Sequence, residues 1–271
     1  MKNQFYNKVC LVTGSASGIG KAVTQLLSSR GARVVAVDIN ITQLQQWVDS
    51  SNNNITVKRL NVIEHEDFSQ LIKEIITEFG QLDYLFNIAG ITVAGEVVNL
   101  TIEHWKKVLS VDLDGVVNGS TLAFKQMAKQ GGGHIINLAS IQGLVPLPME
   151  APYVTAKFGV VGLSQALRVE GADLGVKVSV VCPGYVKTPI FEKSEMMNLD
   201  RDKHLKSLEG FEKSGISPEG CAEVILAGVK KNKAIIPVTT PAKFLWMLSR
   251  LSPSFLIKLL TKDLAKSRLN R

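Results

Sequence analysis

The chain has 271 residues, 45% of them hydrophobic, and a formal net charge of +7. That length suits one large α/β domain, and the apolar content allows a sizeable core, which excludes a largely disordered chain. Residues 229–271 hold ten Lys/Arg against the single acid Asp263, a net +9 that leaves −2 for residues 1–228. With the charge confined to the tail and no reading motif in view, a nucleic-acid binder is not expected.

In chain order, the first strand is predicted at 8–13. Its apolar stretch Val9 to Val12 is too short for a secretory signal, and no apolar run approaches the ~18 residues of a membrane span. A cytoplasmic location is the expectation. The turn Thr13-Gly14-Ser15-Ala16-Ser17-Gly18-Ile19-Gly20 follows and opens a helix at 18–30. Glycines at such a strand–turn–helix junction permit a tight turn and close backbone approach to a pyrophosphate, which the helix N-terminus stabilises. The candidate binding residues here are Gly14, Ser17, Gly18, Ile19 and Gly20.

A second strand at 33–38 contains the continuously apolar Val34-Val35-Ala36-Val37, as expected when helices cover both sheet faces. It ends at Asp38, eighteen residues after Gly20. A carboxylate there can accept hydrogen bonds from an adenosine ribose diol and would repel a 2′-phosphate. No cation stands at Ser17 or Ile39, so NAD is expected in preference to NADP, although Arg33 and Lys58 lie nearby in sequence.

Further strands are predicted at 55–60, 82–87, 133–139, 177–182 and 233–237, with helices at 41–50, 64–79, 101–129, 151–174 and 217–231. This alternation describes a Rossmann-like doubly wound parallel sheet in a three-layer α/β/α single domain, residues 1–240. Ligands of such sheets bind outside the carboxyl ends of the strands. Asn61-Val62 after the third strand and Asn87-Ile88-Ala89-Gly90 after the fourth are therefore expected to face adenine and its ribose. Residues 188–216 lack a clean pattern and place Phe191, Met196, Met197, Leu205, Leu208 and Phe211 among charges, as a substrate lid would.

Tyr153 and Lys157 share one helix face, four residues apart. Ser140 ends the fifth strand thirteen residues before Tyr153. Together, Gly14/Gly18/Gly20, Asn87-x-Ala89-Gly90, Ser140, Tyr153-x-x-x-Lys157 and Pro183-Gly184 resemble the short-chain dehydrogenase/reductase family over about residues 8–237. The resemblance implies that Tyr153 is the acid/base, Ser140 orients the substrate oxygen, and Lys157 holds the nicotinamide ribose. It also implies that Val186 and Thr188 contact the nicotinamide end of the cofactor. The expected activity is interconversion of a secondary alcohol and a ketone by hydride transfer. Lys157, with the positive nicotinamide ring, is expected to lower the tyrosine pKa by favouring phenolate, while Ser140 stabilises charge on the reacting oxygen.

Asp112 stands where the family usually has an asparagine that supports a water chain to the lysine. It lacks an amide donor, so it enters as a catalytic candidate of altered character. With the unusual tail, it is what favours the rival reading of a weakly catalytic, cofactor-binding, redox-responsive interaction protein.

Cys10, Cys182 and Cys221 carry no paired spacing, and His65, His104, His134 and His204 no ligand spacing, so no metal site is expected. Leu144, Val145, Leu147 and Met149 after Ser140 suggest an apolar, steroid- or lipid-like substrate, with ordinary packing as the alternative. Ala156, Gly159, Gly162 and Ala166 line one helix surface. By resemblance this surface forms a homodimer or homotetramer contact, or else packs within the subunit. In the tail, 241–271, Phe255, Leu256, Leu259, Leu260 and Leu264 form an apolar stripe and Lys258, Lys262 and Lys266 a basic one. Such a helix either touches a membrane surface peripherally or caps the protein.

Overall fold

A computed structural model describes residues 3–48, 53–190, 192–201 and 215–269. The expected lid falls partly outside these, and Phe191, Leu205, Leu208, Phe211 and also His204 lie outside the described residues.

The strands are β1 (Val9–Thr13), β2 (Arg33–Asp38), β3 (Ile55–Arg59), β4 (Tyr84–Asn87), β5 (Val93–Ala94), β6 (Gly133–Leu138), β7 (Val176–Cys182), β8 (Glu195–Met196) and β9 (Ile235–Pro237). Seven of them form one parallel sheet in the order β3-β2-β1-β4-β6-β7-β9, the doubly wound arrangement expected. The order reverses beside β1, which pairs with β2 on one side and β4 on the other. The glycine turn and the turn after β4 therefore leave adjacent strand ends, at the point where such sheets bind ligands.

The helices are α1 (Gly18–Ser29), α2 (Ile41–Trp47), α3 (His65–Phe79), α4 (Ile102–Leu109), α5 (Gly115–Lys129), α6 (Ala151–Glu170), α7 (Pro218–Lys230), α8 (Thr240–Leu251) and α9 (Pro253–Leu269). Successive strand residues point to opposite faces, so the apolar runs feed two cores. Cys10, Val12, Val34 and Phe86 pack with residues of α1 and α7. Val9, Leu11, Val35 and Leu85 pack with residues of α3 and α5. Burial on both faces is why these strands do not alternate in polarity.

Three features differ from the sequence reading. The run 101–129 is not one helix, because a π-helical turn, Ser110–Asp114, separates α4 from α5. Residues 93–94 and 195–196 form a small parallel pair of strands, which gives part of the expected lid regular structure. The tail is two helices, and its apolar stripe divides. Leu256 and Leu260 pack with Ile141, Val145 and Ala242, while Phe255 and Leu259 are exposed. Arg268 closes the far end by an ion pair with Glu96.

Candidate active site

The glycine turn is built by backbone geometry. Gly14 has φ +69°, and a Cβ there would meet the Ala89 backbone at 2.8 Å. Thr13 ties the two turns together, its Oγ1 accepting from the N–H of Ile88 at 2.9 Å and of Ala89 at 3.1 Å. The next helix begins at Gly18, φ +53°, where a Cβ would meet Thr188 Cγ2 at 3.1 Å. Thr188 therefore lies over the turn. Ser17 precedes α1 without a side-chain cap, and no acid occupies the first turn of that helix. Its N–H groups thus keep the capacity to bind an anion.

These turns open into a cavity of about 630 Å³. Of the expected binding residues, Gly14, Ser17, Gly18, Ile19, Gly20, Asp38, Asn61, Val62, Ala89, Gly90 and Thr188 line it. Asp38 also braces the glycine turn from within, since Oδ2 accepts from Ala16 N–H at 3.0 Å and Oδ1 from Asn40 N–H at 2.9 Å. It thereby shapes the turn whose far side it faces.

Six expected binding residues do not line it: Tyr153 and Lys157, described below, and Asn87, Pro183, Gly184 and Val186. The Asn87 side chain points into the core, donating to Ser120 Oγ at 3.1 Å and Asn137 Oδ1 at 2.8 Å. Only the backbone turn after it reaches the cavity. The Pro183 carbonyl accepts from Ile141 N–H at 2.7 Å. Gly184 packs on Thr239, at the start of the tail helices. Val186 is buried and bridges to Ile216.

The catalytic candidates converge next to the cavity. Lys157 Nζ lies 5.2 Å from the centre of the Tyr153 ring and donates to the Leu138 carbonyl at 3.2 Å. It also lies 2.8 Å from Asp112 Oδ2, with both side chains withdrawn from solvent. Asp112 Oδ1 accepts from Ile91 N–H at 2.7 Å. The π-helical turn sets this carboxylate against Gly90, where a Cβ would lie 2.9 Å from Oδ2. Such single-turn π segments are frequent at functional sites. Ser140 hydrogen-bonds Tyr153 and accepts from Gln142 N–H at 3.2 Å.

The protein's own groups act on the phenol in the opposite sense to a bound nicotinamide ring. Within the protein the Tyr153 hydroxyl is held well above its usual range, first by burial, then by the negative fields of Asp112 and Glu150, with the Ser140 hydrogen bond opposing. Tyr153 retains some access to solvent, which tempers the shift. The Asp112 carboxylate paired with the Lys157 ammonium opposes the lowering expected from that ammonium and the nicotinamide ring together. Burial also raises the Asp112 carboxyl, against the pull of Lys157.

Glu150 was not anticipated. It is buried three residues before Tyr153, accepting from Thr92 Oγ1 at 2.8 Å and from Gln142 Nε2 at 2.5 Å. Burial raises its carboxyl, against those two hydrogen bonds. It stands at the position before α6, yet its side chain caps nothing. Met149 before it takes a left-handed φ of 78°, a strained backbone for a non-glycine residue of the kind found at functional sites, and no signal in the sequence marks Glu150.

Leu144, Val145 and Leu147 do not stand free for a substrate, since they pack beneath the tail helices. On α6, Ala156 is buried and Gly159 abuts Leu113, whereas Phe158, Gly162, Ala166 and Val169 form an exposed row at helical spacing.

Comparison with known proteins agrees with this geometry. The family model for short chain dehydrogenase matches residues 8–198. Cyclohexanol dehydrogenase of Acinetobacter sp. is 40% identical over 208 residues, 73% of this chain and 82% of that protein. SadH of Mycobacterium tuberculosis is 30% identical over 269 residues, 97% of this chain and 98% of its own. A short-chain dehydrogenase/reductase of Burkholderia phymatum, solved in complex with NAD, superposes with TM-score 0.84 at 23% identity, covering 93% of this chain and 96% of that one. That last likeness concerns the fold. The chain belongs to the short-chain dehydrogenase family and is an oxidoreductase of that family.

Proposed function

We propose that the chain transfers hydride between NAD and a secondary alcohol or ketone, with Tyr153 moving the proton. The observation that carries this is contiguity. Gly14 abuts Ala89, Gly90 abuts Asp112, and Asp112 pairs with Lys157 one helical turn from Tyr153. A nicotinamide dinucleotide fits the residues present. The Gly14 cradle admits no Cβ, the α1 N-terminus carries neither cap nor acid, and the Asp38 carboxylate lines the same cavity. Gly14 to Gly20 would hold the pyrophosphate and Asp38 the adenosine ribose, which favours NAD over NADP.

When bound, the oxidised nicotinamide accepts the hydride and brings a positive charge that favours phenolate. The remaining chemistry belongs to the chain. Tyr153, neutral at rest, is the form that gives a proton to a ketone oxygen. In the reverse direction its phenolate takes the alcohol proton. Ser140 donates to the same oxygen and stabilises the charge developing on it. Lys157, fixed by the Leu138 carbonyl and Asp112, keeps an ammonium beside the phenol.

The name of the Acinetobacter relative supports a cyclic or otherwise apolar secondary alcohol as substrate. The exposed row Phe158, Gly162, Ala166 and Val169 supports pairing of copies through α6, as a homodimer or homotetramer. A cytoplasmic location is part of the proposal. The test follows NADH formation from cyclohexanol and a panel of secondary alcohols, with NAD or NADP as acceptor and Tyr153→Phe as control. NAD-dependent turnover that disappears in the variant supports the assignment. Turnover that survives the substitution refutes the role of Tyr153, and none with any alcohol or the matching ketones refutes the activity.

A further inference from the structure

The inner side of the two tail helices is settled by packing, and the outer side has no such account. Ala242 and Leu256 are buried, with Leu245, Trp246, Leu248 and Leu260 packed against them. Ser249 Oγ lies 3.2 Å from the Leu144 carbonyl. Capping of the protein is therefore satisfied by one face of the tail alone. Turned away from these contacts, Phe244, Met247 and Leu251 follow one another at helical spacing on α8 and are exposed, and Phe255, Ile257 and Leu259 are exposed on α9. Large apolar side chains grouped in this way on a surface mark an interaction site.

The charges on the same helices narrow the partner. Lys243 and Arg250 flank the α8 row, and Lys258, Lys262 and Lys266 stand at successive fourth positions on α9, all exposed. Among the described residues none of these five forms an ion pair, and the one acid of the tail, Asp263, does not offset them. Like charges one helical turn apart repel unless an anion lies over them. The Arg268–Glu96 ion pair joins the end of α9 to the segment that carries Val97 and Val98, two more exposed apolar residues. No helix among the described residues is long and apolar enough to cross a membrane.

We infer that this face docks on an anionic lipid surface, with Phe244, Met247, Leu251, Phe255 and Leu259 entering the interfacial layer and the lysines meeting lipid phosphates. Apolar anchors bordered by lysine and arginine are what a helix lying in the plane of an anionic bilayer requires. A second copy of this chain would bring the same positive charge against it, so self-association through this face is disfavoured.

The test is co-sedimentation of the full chain with vesicles of phosphatidylcholine alone and with phosphatidylglycerol added, without cofactor or substrate, so that its result is separate from catalysis. Binding should require the anionic lipid and weaken with salt. Replacing three exposed lysines (K258Q, K262Q and K266Q) should weaken it by about a hundredfold. Replacing the exposed apolar residues Phe244 and Phe255 by Ser should also release the protein, with an unchanged melting temperature in both variants showing that the fold is kept. No pelleting of the wild-type chain with anionic vesicles overturns the inference, as does equal pelleting of the wild type and the lysine variant. A change in molar mass by light scattering in the Phe variant, without a change in vesicle binding, would instead assign the face to subunit contact.

Discussion

Lys157 Nζ stands 2.8 Å from Asp112 Oδ2, and neither side chain is open to solvent. Removing one partner of such a pair leaves a charge buried without compensation, at about 3–5 kcal/mol. Asp112→Ala should therefore lower stability by about that amount, as read by chemical denaturation. Asp112→Asn is milder, because its one remaining oxygen can accept from Ile91 N–H or face the ammonium, although the negative charge is lost and the amide NH2 then meets the other donor. Asp112 is the largest cause after burial of the raised Tyr153 pKa, so the asparagine variant lowers that pKa. Its profile of alcohol oxidation against pH should rise earlier on the acid side, with turnover at neutral pH kept or improved. A fall of about tenfold or more would mean the aspartate is specifically required.

Tyr153→Phe removes the proton-transfer group while keeping the ring that faces Lys157. Loss of a general acid/base lowers kcat by roughly 10²–10⁴. NADH affinity, measured by fluorescence, should change little, because the residues lining the cavity are intact. A comparable loss of both cofactor affinity and turnover would indicate that the phenol holds the cofactor rather than the proton.

The legible parts of this molecule are those written in local pattern. Val34 to Val37 announce a strand buried on both faces, Gly14 to Gly20 a turn that backbone must enter closely, and Tyr153 with Lys157 a shared helix face. Four binding candidates reach past what pattern can decide, because Asn87 belongs to the turn by sequence while its amide serves the core. The π-helical turn at Ser110–Asp114 was hidden because the apolar spacing on either side reads as one helix. The turn sets the Asp112 carboxylate against Gly90, a contact between segments 22 residues apart that no local pattern shows. Glu150 was hidden for a similar reason. Its partners Thr92 and Gln142 lie 58 and 8 residues away, and no local rule brings them to one carboxyl group.

Glu150 carries a pH dependence whose sign follows from its surroundings. Burial raises its carboxyl above the ordinary 4.5, and the nearby Asp112 carboxylate adds to this, while the hydrogen bonds from Gln142 and Thr92 oppose. The unfolded chain thus releases this proton at a lower pH than the folded one does. The stabilisation is complete below about pH 4.5 and is lost as pH rises toward the folded-state value. Glu150→Gln removes this titration, so the variant should gain stability relative to wild type as pH increases across that window. Urea denaturation at several pH values between mildly acidic and neutral checks it. A constant difference at every pH would mean the glutamate and its replacement are electrostatically equivalent there.

Asp38 acts in two ways, and they can be separated. Its oxygens fix the N–H groups of Ala16 and Asn40, and its charge faces the cavity where an adenosine ribose would lie. Ile39, exposed beside it, lines the same cavity. Asp38→Asn combined with Ile39→Arg keeps one acceptor oxygen, removes the anion and supplies a guanidinium. A charge-assisted hydrogen bond contributes about 1.5–3 kcal/mol, so the ratio of kcat/KM for NAD over NADP should fall by about ten- to a hundredfold. An equal loss with both cofactors would assign Asp38 to shaping the glycine turn. An unchanged ratio with both activities intact would mean that the carboxylate does not meet the ribose, and that the preference for NAD has another origin.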